Sequence, residues 1–274
     1  MATVTAIPAL RDNYIWLVTG DTDACVVVDP GDAGPVLEAL RQRGLKLEAV
    51  LITHHHPDHQ GGLDALLAQH EAPVYGPAEE RIQYRTHGLC EGDTVSLPGV
   101  GLELGVLETP GHTAGHISYY GDGLLFCGDT LFAGGCGRLF EGTPEQMIQS
   151  LGKLTELPGD TQFFAGHEYT EANLRFAATV EPDNDAIQER LKHVRMLRSK
   201  QACTLPGTLD EELRTNPFLR SGVEAVRQRA EAETGKQLTS PVEVFAAPLH
   251  NAEGRPGGVV VSFQDISRRK AAED

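Results

Sequence analysis

The seven residues Thr53-His54-His55-His56-Pro57-Asp58-His59 constrain this chain more than any other stretch of it. They begin where a buried-strand pattern, Ala49–Thr53, runs out. In extended backbone alternate residues face the same side, so His54 and His56 converge on one point while His55 points away. Pro57 forces a turn, and Asp58 and His59 then approach from a second direction. Imidazole suits Zn²⁺ and Fe²⁺, and a carboxylate adds a harder oxygen donor. A solvated run of histidines is the plainer reading, but the preceding strand, the acid within the run and the following Gly61-Gly62 argue for a metal site.

Three later segments each place one matching residue after a strand-like run. Thr109-Pro110-Gly111-His112-Thr113-Ala114-Gly115-His116 offers His112 as a third imidazole. Phe126-Cys127-Gly128-Asp129-Thr130 offers Asp129, whose two oxygens can bridge two cations, and Ala165-Gly166-His167-Glu168-Tyr169 offers His167. Each alone is an ordinary turn; their order after the first motif makes them specific. His116 is expected to support the site or merely to pack, and His70, His87, His193 and His250 are expected to lie outside the chemistry.

Around these motifs the first half alternates short strands and helices. Val4–Ile7, Tyr14–Val18, Cys25–Asp29, Val95–Leu97, Leu102–Leu107, Ile117–Tyr120, Leu124–Cys127 and Gln162–Phe164 read as strands. Val36–Arg43 reads as a helix ended by Gly44. Thr143-Pro144-Glu145-Gln146 announces another, with Met147, Leu151 and Leu154 on its apolar face. Ile187, Leu191, Val194 and Leu197 mark one buried helix face in a helical second part. Val242–Ala246 and Gly258–Phe263 read as two strands around a turn near Asn251-Ala252-Glu253-Gly254.

Charge narrows the partners. With 39 acidic against 23 basic residues and a net charge of −16, the chain is a poor surface for nucleic acid. MATVTAIPALRDNY carries no basic stretch leading into an apolar core, and no segment approaches a bilayer span, so a cytoplasmic protein is expected. Five cysteines without a CxxC pair read as reduced thiols, with Cys127 and Cys136 buried beside Asp129 rather than acting as ligands or nucleophiles.

The pattern His54-x-His56-x-Asp58-His59, followed by His112, Asp129 and His167, resembles the metallo-β-lactamase superfamily. The resemblance implies a four-layer αβ/βα sandwich with the site at one edge of two sheets. It puts His54, His56 and His112 on one metal, Asp58, His59 and His167 on the other, and Asp129 between them. The best-known β-lactamases carry a Cys at the position of Asp129, which argues against that activity here.

Within the superfamily the chain resembles the glyoxalase II, or hydroxyacylglutathione hydrolase, family over roughly residues 1–247. The likeness is carried by Arg11-Asp12-Asn13-Tyr14, by Gly134-Gly135-Cys136-Gly137-Arg138-Leu139-Phe140-Glu141-Gly142-Thr143, by Gly166-His167-Glu168-Tyr169-Thr170 and by Asn216-Pro217-Phe218-Leu219-Arg220. It implies a thioesterase cleaving S-(2-hydroxyacyl)glutathione, typically S-D-lactoylglutathione, to glutathione and a 2-hydroxy acid. It further implies two divalent cations, zinc with iron or manganese as alternatives, a monomer, and catalytic roles for Asp58 and Asp129. Arg138, Phe140 and Tyr169 would contact substrate; Phe140 stands where some members have Tyr, so no hydroxyl contact is expected there. The implied organisation is a catalytic domain over residues 1–170, a helical substrate-binding subdomain over 171–247 and an atypical tail over 248–274.

The tail departs from the family. A basic Leu-Arg-Arg-x-Lys-Asp ending is expected after Ala247, but Pro248-Leu249-His250 follows, and Val259–Lys270 resembles the last strand of a PAS domain. A sensory or interaction protein with a residual hydrolase body is one competing reading, weakened by the full set of seven candidate ligands. A lactonase or nuclease of the same fold is another. The Gly137-Arg138 loop counts against the first of these and the acidic composition against the second.

Overall fold

The computed structural model describes residues 2–247 and Leu249. Two six-stranded sheets form its body. The first has the order β1 (Thr3–Ala9), β2 (Asn13–Thr19), β3 (Ala24–Val28), β4 (Lys46–Leu51), β5 (Val74–Pro77) and β6 (His87–Leu89). Its first three strands are antiparallel neighbours, and β3 through β6 are parallel, with α1 (Ala33–Arg43) connecting β3 to β4, α2 (Pro57–Gln60) and α3 (Leu63–Leu67) connecting β4 to β5, and a helix-free segment connecting β5 to β6.

The second sheet is built from β7 (Thr94–Leu97), β8 (Leu102–Glu108), β9 (Ile117–Gly121), β10 (Leu124–Gly128), β13 (Gln162–Ala165) and β14 (Gly207–Thr208), side by side in that order. A small hairpin, β11 (Leu131–Phe132) and β12 (Gly135–Cys136), follows β10, and α4 (Pro144–Thr155) lies between β12 and β13.

The period of two along the strands divides the core. On β2, Tyr14, Trp16 and Val18 face the second sheet, whereas Ile15 and Leu17 face the other way. Strand β3 repeats this with Val26 and Val28 against Cys25 and Val27. The outward set meets Val36 and Leu40 of α1 and Leu63 and Leu66 of α3. The inward set meets Leu104, Val106 and Tyr119 of the second sheet, and Met147, Leu151 and Leu154 of α4 join the same core. Helices and sheets thus stack in an α/β arrangement with a helical region following it.

Local sequence explains the boundaries. Gly44 ends α1 in the left-handed conformation at φ 65°. Thr143 and Gln146 form a reciprocal capping box that starts α4, as their spacing predicts. Of the stripe on α6 (Asp185–Arg198), Ile187, Leu191 and Val194 are buried and Leu197 is half-buried.

The expected strand at Val242–Ala246 is instead α9 (Pro241–Phe245). Ser240, Pro241 and Glu243 form a second capping box, and that start signal outweighs the β preference of Val242 and Val244. The expected strand Gly258–Phe263 and the PAS-like stretch lie outside the described residues. Among the described residues, no helix is long and apolar enough to cross a membrane.

The helical region, α5 (Thr170–Val180), α6, α7 (Leu209–Thr215), α8 (Glu224–Thr234) and α9, is fastened to the hairpin beside the site. Fully buried Glu212 pairs with Arg190 at 2.6 Å and accepts the Gly134 N–H at 2.8 Å. Asn216 donates to Glu212 at 2.9 Å and to the Gly135 carbonyl at 2.9 Å, which gives the Asn216-Pro217-Phe218 segment a concrete task.

Candidate metal centre

All seven expected residues come together where the strand ends of the two sheets meet. His54 and His56 follow β4, and the first turn of α2 carries Asp58 and His59. His112 lies between β8 and β9, Asp129 follows β10 and His167 follows β13. Strand β4 ends two residues earlier than expected, yet the two histidines still converge. His54 Nε2 and His112 Nε2 stand 3.1 Å and 3.0 Å from His56 Nδ1. Asp129, only 5% exposed, sits between the groups, with Oδ2 3.4 Å from His112 Nε2 and 3.3 Å from His167 Nε2. Asp58 Oδ2 lies 3.6 Å from His59 Nε2 and 3.4 Å from His167 Nε2. Donor atoms within each of the sets His54/His56/His112, His54/His59/Asp129 and Asp58/His59/His167 lie within 4.8 Å of one another.

The outer nitrogens of these rings are already committed. His112 Nδ1 donates to the Arg138 carbonyl at 2.8 Å, His167 Nδ1 to Asp12 Oδ1 at 2.8 Å and His59 Nδ1 to Asp29 Oδ2 at 3.0 Å. His54 Nδ1 meets Thr53 Oγ1 at 3.0 Å. The inner Nε2 atoms are therefore aimed at one another and at carboxylates. Buried His59 Nε2 and Asp129 Oδ1 face each other at 3.4 Å, and among the described residues neither atom has a hydrogen-bond partner. Converging imidazole lone pairs and an orphaned buried carboxylate oxygen are costly without a cation and suited to one. The residues fit divalent metal.

Electrostatics splits the centre in two. Burial holds His54 well below the usual imidazole range and His112 at about 4, leaving neutral donors. Burial also opposes charge on His167 and His59, but Asp129 outweighs it with Asp58 or Asp29, raising His167 to about 10 and His59 well above its ordinary value. Burial alone would raise Asp58 and Asp129; His167 and His59 hold both carboxyls well below their usual range.

The supporting residues were mostly hidden in the sequence. Asp29 accepts the Thr53 N–H at 2.8 Å and the Thr53 hydroxyl at 2.7 Å besides holding His59. It occupies the left-handed region at φ 52°, which those bonds sustain. Its one signal is an acid closing the strand Cys25–Asp29, on the edge where His54 emerges. Asn13 Nδ2 donates to Asp58 Oδ2 at 3.0 Å; Asn13 opens β2, and Asp12 closes the turn that precedes it.

His116 supports the centre. Its ring is fully buried, its Nε2 accepts the Asp129 N–H at 3.1 Å, and its Nδ1 reaches Thr109 Oγ1 at 2.9 Å. Several glycines around the centre leave no room for a side chain. A Cβ at Gly128, with φ 46°, would collide with Thr53 Oγ1, and one at Gly166 would lie 2.5 Å from Asp129 Oδ1. Cys127 and Cys136 are buried, and burial pushes both thiols up. His70, His87 and His193 stand apart from the cluster, and His250 lies outside the described residues.

Three residues form the rim. Phe140 is 54% exposed, with its ring 5.5 Å from that of His56 and 5.3 Å from that of His112. The Arg138 guanidinium lies 5.1 Å over the Phe140 ring. Tyr169 stacks on His167 at 4.7 Å.

Comparison with known proteins agrees with this geometry. The family description "Metallo-beta-lactamase superfamily" matches residues 9–167, and "Hydroxyacylglutathione hydrolase C-terminus" matches residues 168–248. The chain is 56% identical over 248 residues to a hydroxyacylglutathione hydrolase of Alkalilimnicola ehrlichii, covering 90% of this chain and 97% of the relative. A relative of the same name from Nitrosomonas europaea is 52% identical over 247 residues, covering 90% and 94%. Among solved structures, ETHE1 from Myxococcus xanthus superposes with a TM-score of 0.63 at 26% identity, covering 89% of this chain and 96% of that one. TTHA1623, solved in a di-iron-bound form, gives 0.56 at 27% identity, covering 79% and 99%. With its donor cluster, its fold and its similarity over nine-tenths of its length pointing one way, the chain belongs to the metallo-β-lactamase superfamily and, within it, to the hydroxyacylglutathione hydrolase family.

Proposed function

We propose that this protein hydrolyses S-(2-hydroxyacyl)glutathione thioesters, with S-D-lactoylglutathione as the typical substrate, at a centre of two divalent cations. The observation that carries this reading is the convergence of two donor groups on one shared carboxylate, Asp129, in a chain more than half identical to a named hydroxyacylglutathione hydrolase. His54, His56 and His112 would hold one cation and Asp58, His59 and His167 the other, with Asp129 lying between the two sets. Zinc suits the imidazole-rich set, and iron or manganese are its competitors. Bound divalent cations supply Lewis acidity, lowering the pKa of water and offsetting charge that develops on a carbonyl oxygen.

The chain's own residues do the rest. Asp58 and Asp129 remain anionic and accept hydrogen bonds from the attacking water, orienting it towards the thioester carbonyl. Asn13 holds Asp58 for that task, and His116 holds the backbone of Asp129. The water oxygen bonds to the carbonyl carbon as its proton passes to solvent, the C–S bond then breaks, and the thiol, with an ordinary pKa of about 8.5, departs as thiolate without a strong general acid. Arg138 grips a carboxylate of the tripeptide, while Phe140 and Tyr169 flank its chain.

In this reading residues 1–170 form the catalytic domain and 171–247 the substrate-binding subdomain, and the protein works as a cytoplasmic monomer. A net charge of −16 supports a small-molecule substrate over nucleic acid. The test is thiol release from S-D-lactoylglutathione by the purified full chain, its loss on chelation and its return with Zn²⁺. Failure to release thiol at full metal occupancy overturns the reading.

A further inference from the structure

A second cluster, His55, Glu80 and Glu141, lies beside the metal centre and contributes none of its seven candidate ligands. Glu80 is its hub. Oε2 accepts the His55 N–H at 2.6 Å and His55 Nδ1 at 2.9 Å, while Oε1 accepts the Gly115 N–H at 3.1 Å and the Thr113 hydroxyl. Both carboxylate oxygens are satisfied by protein donors, so the group is a hydrogen-bonded knot and not a third cation site. It ties the histidine motif to the segment that carries His112.

The far side of the His55 ring points elsewhere. His55 Nε2 lies 3.4 Å from Glu141 Oε1, and Glu141 Oε2 accepts the Ala114 N–H at 2.8 Å. Glu141 belongs to the loop between β12 and α4, which also carries Arg138 and Phe140. Backbone bonds zip this loop to the His112 segment, from Phe140 N–H to the His112 carbonyl at 3.2 Å and from Gly142 N–H to the Gly111 carbonyl at 3.1 Å. Glu141 is the loop's side-chain tether to the same segment, with the His55 ring alongside it.

We infer that Glu141 is a positioning residue: bonded to the Ala114 N–H, it sets where Arg138 and Phe140 stand over the metal centre, and through them the affinity for a glutathione thioester. The inference rests on the substrate reading above. On charge alone an acid near the mouth would repel an anionic substrate, so the sign of the change in KM separates the two roles.

The experiment compares the metal-loaded full chain with Glu141→Ala and Glu141→Gln. Glu141→Ala is expected to raise KM for S-D-lactoylglutathione about tenfold, with kcat within about twofold and metal content unchanged. Glu141→Gln keeps an oxygen for the Ala114 N–H and recovers most of the loss. Without any substrate, tryptic cleavage after Arg138, read by mass spectrometry, is expected to quicken several-fold in Glu141→Ala and little in Glu141→Gln. An unchanged or lower KM in Glu141→Ala overturns the inference, as does a fall in kcat or metal content as large as the rise in KM. If the wild-type chain releases no thiol, the substrate reading fails by itself. The proteolysis then decides the tether, and unaltered cleavage in Glu141→Ala overturns it.

Discussion

Asp29 accepts the Thr53 hydroxyl at 2.7 Å, and that bond dictates the direction of the next one. With its proton committed to Asp29, Thr53 Oγ1 can only accept from His54 Nδ1, 3.0 Å away. The tautomer of His54 is thereby fixed, and its Nε2 lone pair is turned towards the centre. Thr53→Val removes this relay at nearly constant volume. It is expected to weaken metal binding about 10- to 100-fold, measured by chelator competition, with the fold retained by circular dichroism. Unchanged affinity would mean that packing alone orients His54.

Asp129 and His116 should separate by severity. Asp129→Ala removes the shared carboxylate and is expected to lower kcat by orders of magnitude and to lose metal. His116→Ala removes the acceptor for the Asp129 N–H and the Nδ1 contacts to Thr109 and Thr130 but none of the seven candidate ligands, so it should cost about 10- to 100-fold in activity or metal affinity. Steady-state kinetics and elemental analysis of both variants check the order, and a reversed order would undo the ligand assignment.

Metal uptake by the stripped protein should release protons at neutral pH. His167 is raised to about 10 by Asp129 and Asp58 against the opposing effect of burial, so below that pH its ring holds a proton that a cation must displace. His112, held at about 4, is already neutral and releases none. Calorimetric titration of Zn²⁺ at pH 7.5 in buffers of different ionisation enthalpy measures the count. At least one proton per chain is expected, with the His167 share falling away as pH passes 10. Uptake without proton release would show that His167 is not displaced onto a cation.

Arg138→Ala should raise KM for the glutathione thioester roughly tenfold to a hundredfold, the equivalent of a charge-assisted contact of about 1.5–3 kcal/mol. Metal content should not change, because only the Arg138 backbone carbonyl holds His112. A KM equal to that of the wild type would remove Arg138 from substrate recognition.

Gly166→Ala tests how closely the centre is packed. The added methyl would fall 2.5 Å from Asp129 Oδ1 and 2.6 Å from the His59 ring. Loss of metal affinity with an intact fold is the expected result, by elemental analysis and circular dichroism.

The sequence carried the metal centre because each ligand follows a strand-like run, where backbone geometry fixes direction. Alternation pointed to His54 and His56, although β4 ends at Leu51 and they converge from the bend beyond it, and the motif order brought in His112, Asp129 and His167. Asp29, Asp12 and Glu80 were not legible, because each acts through a partner far away in the chain: 30 residues from Asp29 to His59, 155 from Asp12 to His167 and 25 from Glu80 to His55. No local pattern reports such distances. Val242–Ala246 shows the opposite failure, where β-branched residues spoke louder than the Ser240-Pro241 helix start. Elsewhere the same capping chemistry was read correctly at Thr143 because an apolar helical stripe followed it.

The deep burial of Cys127 and Cys136 has a redox consequence for an enzyme whose product is a thiol. Mixed disulfides form through thiolates, and burial keeps both of these groups protonated and out of contact with solvent. Of the five cysteines only Cys90 is exposed. Glutathione disulfide at the mouth therefore meets no reactive sulfur beside Asp129, and Cys127 and Cys136 are kept from being capped by exchange with it.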